Sequence, residues 1–250
     1  MKPYDPTKEI ELAVRTGFIT KEIWNEFFAN GKLAWRNRMW MNFVERGFFR
    51  NHYSILAKDV LTPNPRHPLV LALAGDAVAQ APAVSVIEHD TIVLRTFFQL
   101  EKSGLLSTAK FESELKREDL RDRRHYDPSD KTKYPDLLIR LNELSSDTQI
   151  AIEIEKSRKE PKRYRQIMNS YMTKKSISKI IFVTDLDVVK NGVKTAIRET
   201  YFPEWEKPVG FASLKQWQKC AEQTSIEFPE TNITLAQMSS HIDKIKNKAL

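Results

Sequence analysis

The chain has 250 residues, a length that suits two small domains or one larger domain with an appendage, and its composition is 41% hydrophobic and 10% aromatic, enough to bury a core. No stretch approaches the roughly 18 uninterrupted apolar residues of a membrane helix, and the start, MKPYDPTKEIELAV, lacks the apolar block of a signal peptide, so the sequence reads as a cytoplasmic protein with no membrane partner. The formal net charge of +7 is the footprint of a polyanion partner, while the single cysteine, Cys220, excludes an internal disulfide and reads as an ordinary thiol in a helix.

Taken in chain order, the first elements are helical. The spacing predicts a helix over 7–16, stopped by Gly17, and a second from Lys21 to about Phe28 that Thr20 caps, because its hydroxyl can accept from the exposed backbone amides. Asn30-Gly31 is a turn signal, and a third helix is expected from about Leu33 to Arg46, stopped by Gly47. Helix, glycine turn and basic aromatic helix follow the order of a helix-turn-helix. Met39, Phe43 and Trp40 would pack while Arg36 and Arg38 reach outward. Phe48-Phe49-Arg50 and Leu69–Leu73 are expected as the two strands of a wing, with Lys58, Pro63, Pro65, Arg66 and His67 between them. Residues 1–80 therefore read as a winged helix-turn-helix DNA-binding domain, with Lys32, Arg36, Arg38, Arg46 and Arg50 as its DNA contacts; a helical bundle with a solvated basic face reads the same way.

Residues 74–85, rich in Ala and Pro, read as a connection, and a helix is expected from near Glu88 through Leu100. The charged stretch 116–133 reads as a solvated loop. Beyond Tyr134 the pattern changes. Leu137–Leu141, Lys179–Val183 and Val209–Ala212 are short apolar runs of strand length, and Ile150–Glu155 alternates strictly. Lys162–Lys174, opened by Pro161, Asp187–Thr200 and Leu214–Glu222 look helical. The fold class is thus α+β or α/β, a mixed sheet flanked by helices over 86–225, followed by a C-terminal tail at 226–250.

The chemistry concentrates between Pro135 and Lys159. On an extended strand Ala151, Glu153 and Glu155 share one face and Ile150, Ile152 and Ile154 the other. Two acids two residues apart stand about 7 Å from one another at the backbone. Together in a core sheet they repel, and burial adds to the cost. A hard cation, Mg²⁺ or Mn²⁺, would relieve both, and a hairpin would bring Asp136 to the same ion. A half-exposed edge strand with both glutamates in solvent shows the same alternation. The following stretch carries Lys162, Arg163, Arg165, Gln166, Asn169 and Lys174, a basic helix suited to holding a phosphate backbone, with Arg163 and Arg165 as candidate DNA contacts. Tyr164 and Tyr171, seven apart on one helical face, read as packing or phosphate-contact residues rather than nucleophiles.

Pro135-Asp136, Glu153-Ile154-Glu155 and Lys159 together resemble the PD-(D/E)xK nuclease signature. The sequence departs from it at Glu155, which stands where that pattern has lysine; Lys159, folding back from the next turn, or Lys156 would replace it, and Lys159 is preferred because Lys156 would point to the other strand face. The acid-x-acid-xxx-lysine spacing, with Arg163-Tyr164 and Tyr171, is similar to the MobC-type plasmid mobilisation relaxases and the related replication-relaxation proteins. The resemblance implies a restriction-endonuclease-like core behind a winged helix, nicking double-stranded DNA at a plasmid transfer origin with accessory mobilisation proteins. It also implies Asp136, Glu153, Glu155 and Lys159 as catalytic residues, the three acids as metal ligands, and His89, Glu114 and Tyr164 as support. The alternative is a winged-helix regulator or replication protein whose nuclease-like domain is inactive. Nick or double-strand break stays open, and the latter would require a homodimer.

Overall fold

The computed structural model describes residues 4–53, 59–74, 81–122, 132–142, 148–172, 174–200 and 208–246. It is a mixed α and β structure whose chain divides into two compact units, 1–91 and 92–250.

The first unit runs α1 (Thr7–Thr16), β1 (Ile19–Thr20), α2 (Lys21–Phe27), α3 (Leu33–Glu45), β2 (Phe49–Asn51), β3 (Val60–Pro63) and α4 (Pro68–Ala74). The helix ends are where the sequence places them, for local reasons. Gly17 adopts φ 91°, the left-handed backbone glycine tolerates, and its N–H returns to Ala13 O. Thr20 Oγ1 accepts from Ile23 N at 3.2 Å, the expected cap. Met39, Trp40 and Phe43 turn the apolar face of α3 onto a core that includes Phe18, Ile19, Ile23, Trp24 and Leu61. Trp24 stacks on Trp35 and meets Phe43 edge-on, with ring centroids 5.5 Å apart. The small antiparallel sheet has the order β1-β3-β2.

One strand differs from expectation. β2 is present, but its partner is β3, with Phe49 opposite Pro63, and 68–74 is helix α4 rather than strand. Pro68 suits a first helical turn, and Leu-Val-Leu-Ala-Leu-Ala has enough alanine and leucine for the helix to win over a run ambiguous in period. The connection between the paired strands is therefore 52–59, of which Lys58 lies outside the described residues; Pro63, Pro65, Arg66 and His67 follow or end β3 instead.

Helix α5 (Val84–Lys102) carries the boundary between the units. The second unit continues with β4 (Leu106–Phe111), α6 (Glu112–Asp122), β5 (Leu137–Leu141), β6 (Gln149–Ile154), α7 (Pro161–Met172), β7 (Ile177–Val183), α8 (Asp187–Glu199), β8 (Val209–Ala212), α9 (Leu214–Trp217), a 3₁₀ turn at Ala221–Gln223, β9 (Ile226–Glu227), β10 (Asn232–Ile233) and α10 (Leu235–Lys246). Among the described residues its sheet has seven strands in the order β10-β9-β8-β7-β6-β5-β4. β6, β7 and β8 are parallel, joined through α7 and α8; the outer pairs are antiparallel. Three expectations change here. The charged stretch from 116 is helical through Asp122, residues 226–246 supply two strands and a helix where a tail was read, and Cys220 sits between α9 and the 3₁₀ turn rather than in a helix.

β6 is an interior strand, bonded to β5 on one side and β7 on the other, and both of its faces are buried. α7 covers one face. Tyr164, Ile167, Met168 and Tyr171 recur at helical spacing and pack with Ala151, Phe182, Val189 and Val193. Burying each aliphatic member of that stripe contributes about 1.5–3 kcal/mol. Gly192 of α8 permits the close approach of α7, because a Cβ there would stand 2.9 Å from the Tyr164 ring.

Candidate active site

The register of the hairpin sets the site. Leu137 of β5 lies opposite Ile152 and Leu138 opposite Ala151. One residue outward, the same register carries Asp136 opposite Glu153, on the face covered by α7. Asp136 Oδ2 accepts from Ile154 N at 2.7 Å, which ties the start of β5 to the end of β6. Glu155 follows the last residue of β6, and its N–H bonds Val183 O at 3.0 Å. The acids thus gather at the carboxyl ends of β6 and β7, the end at which open sheets with parallel strands present their ligand sites.

Neither glutamate is in solvent: Glu153 is 4% and Glu155 1% exposed, so the edge-strand alternative is excluded. The Tyr171 hydroxyl, buried beneath α7, donates to Glu153 Oε1. Lys159 folds back so that its Nζ stands 2.7 Å from Glu155 Oε1, as preferred from the sequence, while Lys156 is exposed. That fold-back is fixed by Tyr164, whose hydroxyl accepts from Lys159 N at 3.0 Å.

The electrostatics follow from this packing. Burial first, then the charges of Asp136 and Glu155, push the Glu153 carboxyl well above the ordinary glutamate range, against the opposing pull of Tyr171 and Lys159. Burial works against the Lys159 ammonium, but Glu155, Glu153 and Asp136 outweigh it and hold its pKa up. Burial and the neighbouring Glu153 push the Tyr171 phenol far up, so it stays a donor. Burial likewise raises the phenol of Tyr164. The donor set is all oxygen, the chemistry a hard divalent cation prefers. Among the described residues, no three His, Cys, Asp or Glu side chains stand ready as a ligand group. Mg²⁺ commonly uses one or two carboxylates and keeps its waters, which a rearranged Asp136 and Glu153 or Glu155 would satisfy.

Glu114 lies close to Asp136 in the fold, since Phe111 of β4 pairs with Leu137 of β5 and Glu112 N donates to Asp136 O at 3.3 Å. Glu114 Oε2 accepts from Phe111 N at 2.9 Å and closes the start of α6. His89, paired with Asp90 at 2.9 Å, belongs to the first unit, whereas the carboxylates belong to the second. Arg165 reaches Glu199 of α8 at 2.9 Å. Arg163 lies in the first turn of α7 with its Nε buried. In the first unit Lys32 precedes α3, and Arg38 shares the exposed face of α3 with Leu33 and Met41. Arg36 turns back, its Nε donating to Gly31 O at 3.0 Å; Arg46 lies over the Phe48 ring at 4.6 Å; Arg50 is exposed on β2. Sequence reasoning passed over Lys133. Its backbone N donates to Ser170 Oγ at 2.9 Å, and burial together with the Arg163 charge lowers its pKa. Nothing in the charged run around it distinguished this lysine from its neighbours.

Comparison of the chain with protein-family models, with curated proteins and with solved structures finds no match.

Proposed function

We propose that this protein is a metal-dependent DNA endonuclease of the PD-(D/E)xK type, with Asp136, Glu153, Glu155 and Lys159 at its active site. The observation that carries the reading is the gathering of two buried glutamates, Glu153 and Glu155, with a half-buried Asp136 and a half-buried Lys159 at one end of the sheet, each held by a named partner. A core that only needed to fold would gain by replacing them with apolar side chains. Bound there, Mg²⁺ or Mn²⁺ would polarise a phosphoryl oxygen and lower the pKa of an attacking water. Asp136 and the two glutamates would hold the ion. Lys159, released from Glu155 as that carboxylate turns to the cation, would bring its ammonium to the charge that builds on the phosphate. Tyr171 would keep Glu153 oriented, and Tyr164 would keep Lys159 in reach.

The first unit reads as a winged helix. Its order of helices, with α3 after a tight turn and β2 and β3 as an antiparallel pair, supports this. Arg38 on α3 and Arg50 on β2 would meet duplex DNA. The narrower role is nicking at a plasmid transfer origin, in the manner of the mobilisation relaxases that the acid-x-acid-xxx-lysine spacing resembles.

The test is cleavage of supercoiled plasmid, with and without a candidate origin, in Mg²⁺, Mn²⁺ or EDTA. Metal-dependent nicking that Glu153→Ala/Glu155→Ala lowers by at least roughly a hundredfold is expected. Confinement to the origin plasmid supports mobilisation, and cutting of any plasmid a general nuclease. Binding of duplex DNA without cutting under any metal overturns the enzyme reading in favour of a regulator.

A further inference from the structure

Beside the acids stands a group of cations that the proposed chemistry does not yet use. Lys133 lies three residues before Asp136, in the segment entering β5, and its backbone is pinned to Ser170 of α7. Burial, then the charges of Arg163, Lys116 and Lys159, all press against its ammonium; Glu112 acts in the other direction. Glu112, however, is already engaged by Lys116 at 2.7 Å, and Glu155 by Lys159 at 2.7 Å. Arg163 stands two helical turns before Ser170 on the same face of α7, and its buried Nε has no hydrogen-bond partner among the described residues. A buried guanidinium N–H left unbonded is costly, and so are ammonium and guanidinium groups held in one another's field. Both costs disappear if an anion with several acceptor oxygens lies between the two side chains.

We infer that Lys133 and Arg163 form a phosphate clamp at the edge of the acidic site, which takes a backbone phosphate of a nucleic-acid strand and lays the neighbouring phosphodiester against Lys159. A phosphate fits better than a carboxylate. Its oxygens point in several directions, so the planar fork of Arg163 and the point charge of Lys133 can each take a separate oxygen. α7 joins the parts, since it carries Arg163, the Ser170 that anchors Lys133, the Tyr164 that anchors Lys159 and the Tyr171 that holds Glu153. The identity of the strand rests on the nuclease reading, but capture of phosphate does not.

The experiment is calorimetric titration of the full chain, in EDTA, with a 5′-phosphorylated thymidine tetranucleotide and separately with inorganic pyrophosphate. The tetranucleotide is expected to bind more tightly; preference for pyrophosphate would mean a free phosphate ligand and overturn the strand assignment. Lys133→Ala and Arg163→Ala should each weaken tetranucleotide binding roughly tenfold, Lys133→Arg should restore most of it, and exposed Lys219→Ala should change nothing. Affinity unchanged in both alanine variants overturns the clamp. Amine acylation of the unaltered protein, mapped by mass spectrometry, provides a reading free of folding effects. The tetranucleotide should shield Lys133, and equal labelling with and without it also overturns the proposal. Plasmid nicking separates the two ideas. Binding lost in the variants of a protein that never nicks leaves the clamp and removes the nuclease; nicking and binding untouched by either variant leave the nuclease and remove the clamp.

Discussion

Two buried glutamates, one in each unit, make an instructive pair. Glu9 and Glu153 are 1% and 4% exposed, and each accepts from a tyrosine hydroxyl, Tyr4 in one case and Tyr171 in the other. Burial pushes both carboxyls above the ordinary range. Their surroundings differ. Glu9 takes a second bond from Trp24 Nε1 at 3.1 Å, so its site is closed by two neutral donors that also belong to an aromatic core. Glu153 shares its field with Asp136, Glu155 and Lys159. A raised carboxyl pKa therefore marks burial in both places; it is the gathering of further charges that makes the second the candidate site.

The widest separation between the two should come from a divalent cation. If Glu153 helps to hold one, Mg²⁺ at about a hundred times its dissociation constant should stabilise the protein by about 2.7 kcal/mol. Glu153→Gln should reduce that gain and Glu9→Gln should keep it, as read by thermal unfolding. The pH dependence sharpens this further. A carboxyl whose folded pKa is raised contributes stability that is complete below its unfolded pKa and is lost as pH climbs through the folded one. Without metal, melting temperature should thus fall as pH rises above the ordinary glutamate range, and Glu153→Gln should flatten part of that fall. A Glu153→Gln protein with the parental pH profile would break the comparison.

Glu9→Ala should act on stability alone. It strands the Tyr4 hydroxyl and the Trp24 indole N–H and should cost about 2 kcal/mol in denaturant unfolding, with metal-dependent nicking by the folded protein unchanged. Altered nicking below the melting range would mean that Glu9 does more than close a core. The smallest effect belongs to Thr20→Ala. Losing the bond to Ile23 N should cost about 1 kcal/mol, and a neutral result would show that the β1–β3 pairing holds the start of α2 without the cap.

Much of the local geometry of the candidate site was legible before the fold. The alternation over 150–155 marked a strand with two acids on one face, Pro135-Asp136 marked the start of its partner, and the choice of Lys159 over Lys156 followed from strand geometry. Other parts were not legible, for identifiable reasons. β4, Leu-Ser-Thr-Ala-Lys-Phe, has no clean alternation, and α6 is so charged that its helical period carries almost no apolar signal. The bond by which Glu114 closes the start of α6 was not legible either, because it depends on a helix the sequence did not announce. Lys133 sits in a run of charges, and only its attachment to Ser170, 37 residues away, sets it apart.

The sequence by itself determined where the first three helices start and stop, to within a residue, and which residues are of a type suited to acid and metal chemistry. These depend on backbone conformation and on side-chain type within a few neighbours: glycine at Gly17, a hydroxyl at Thr20, acids at alternate positions of one strand. Tertiary structure alone decided that 68–74 is helix, that 226–246 is more than a tail, and that Glu153 and Glu155 are enclosed rather than wet. An apolar run has no preferred period until something packs against it, and a carboxyl has no shifted pKa until remote residues remove its water.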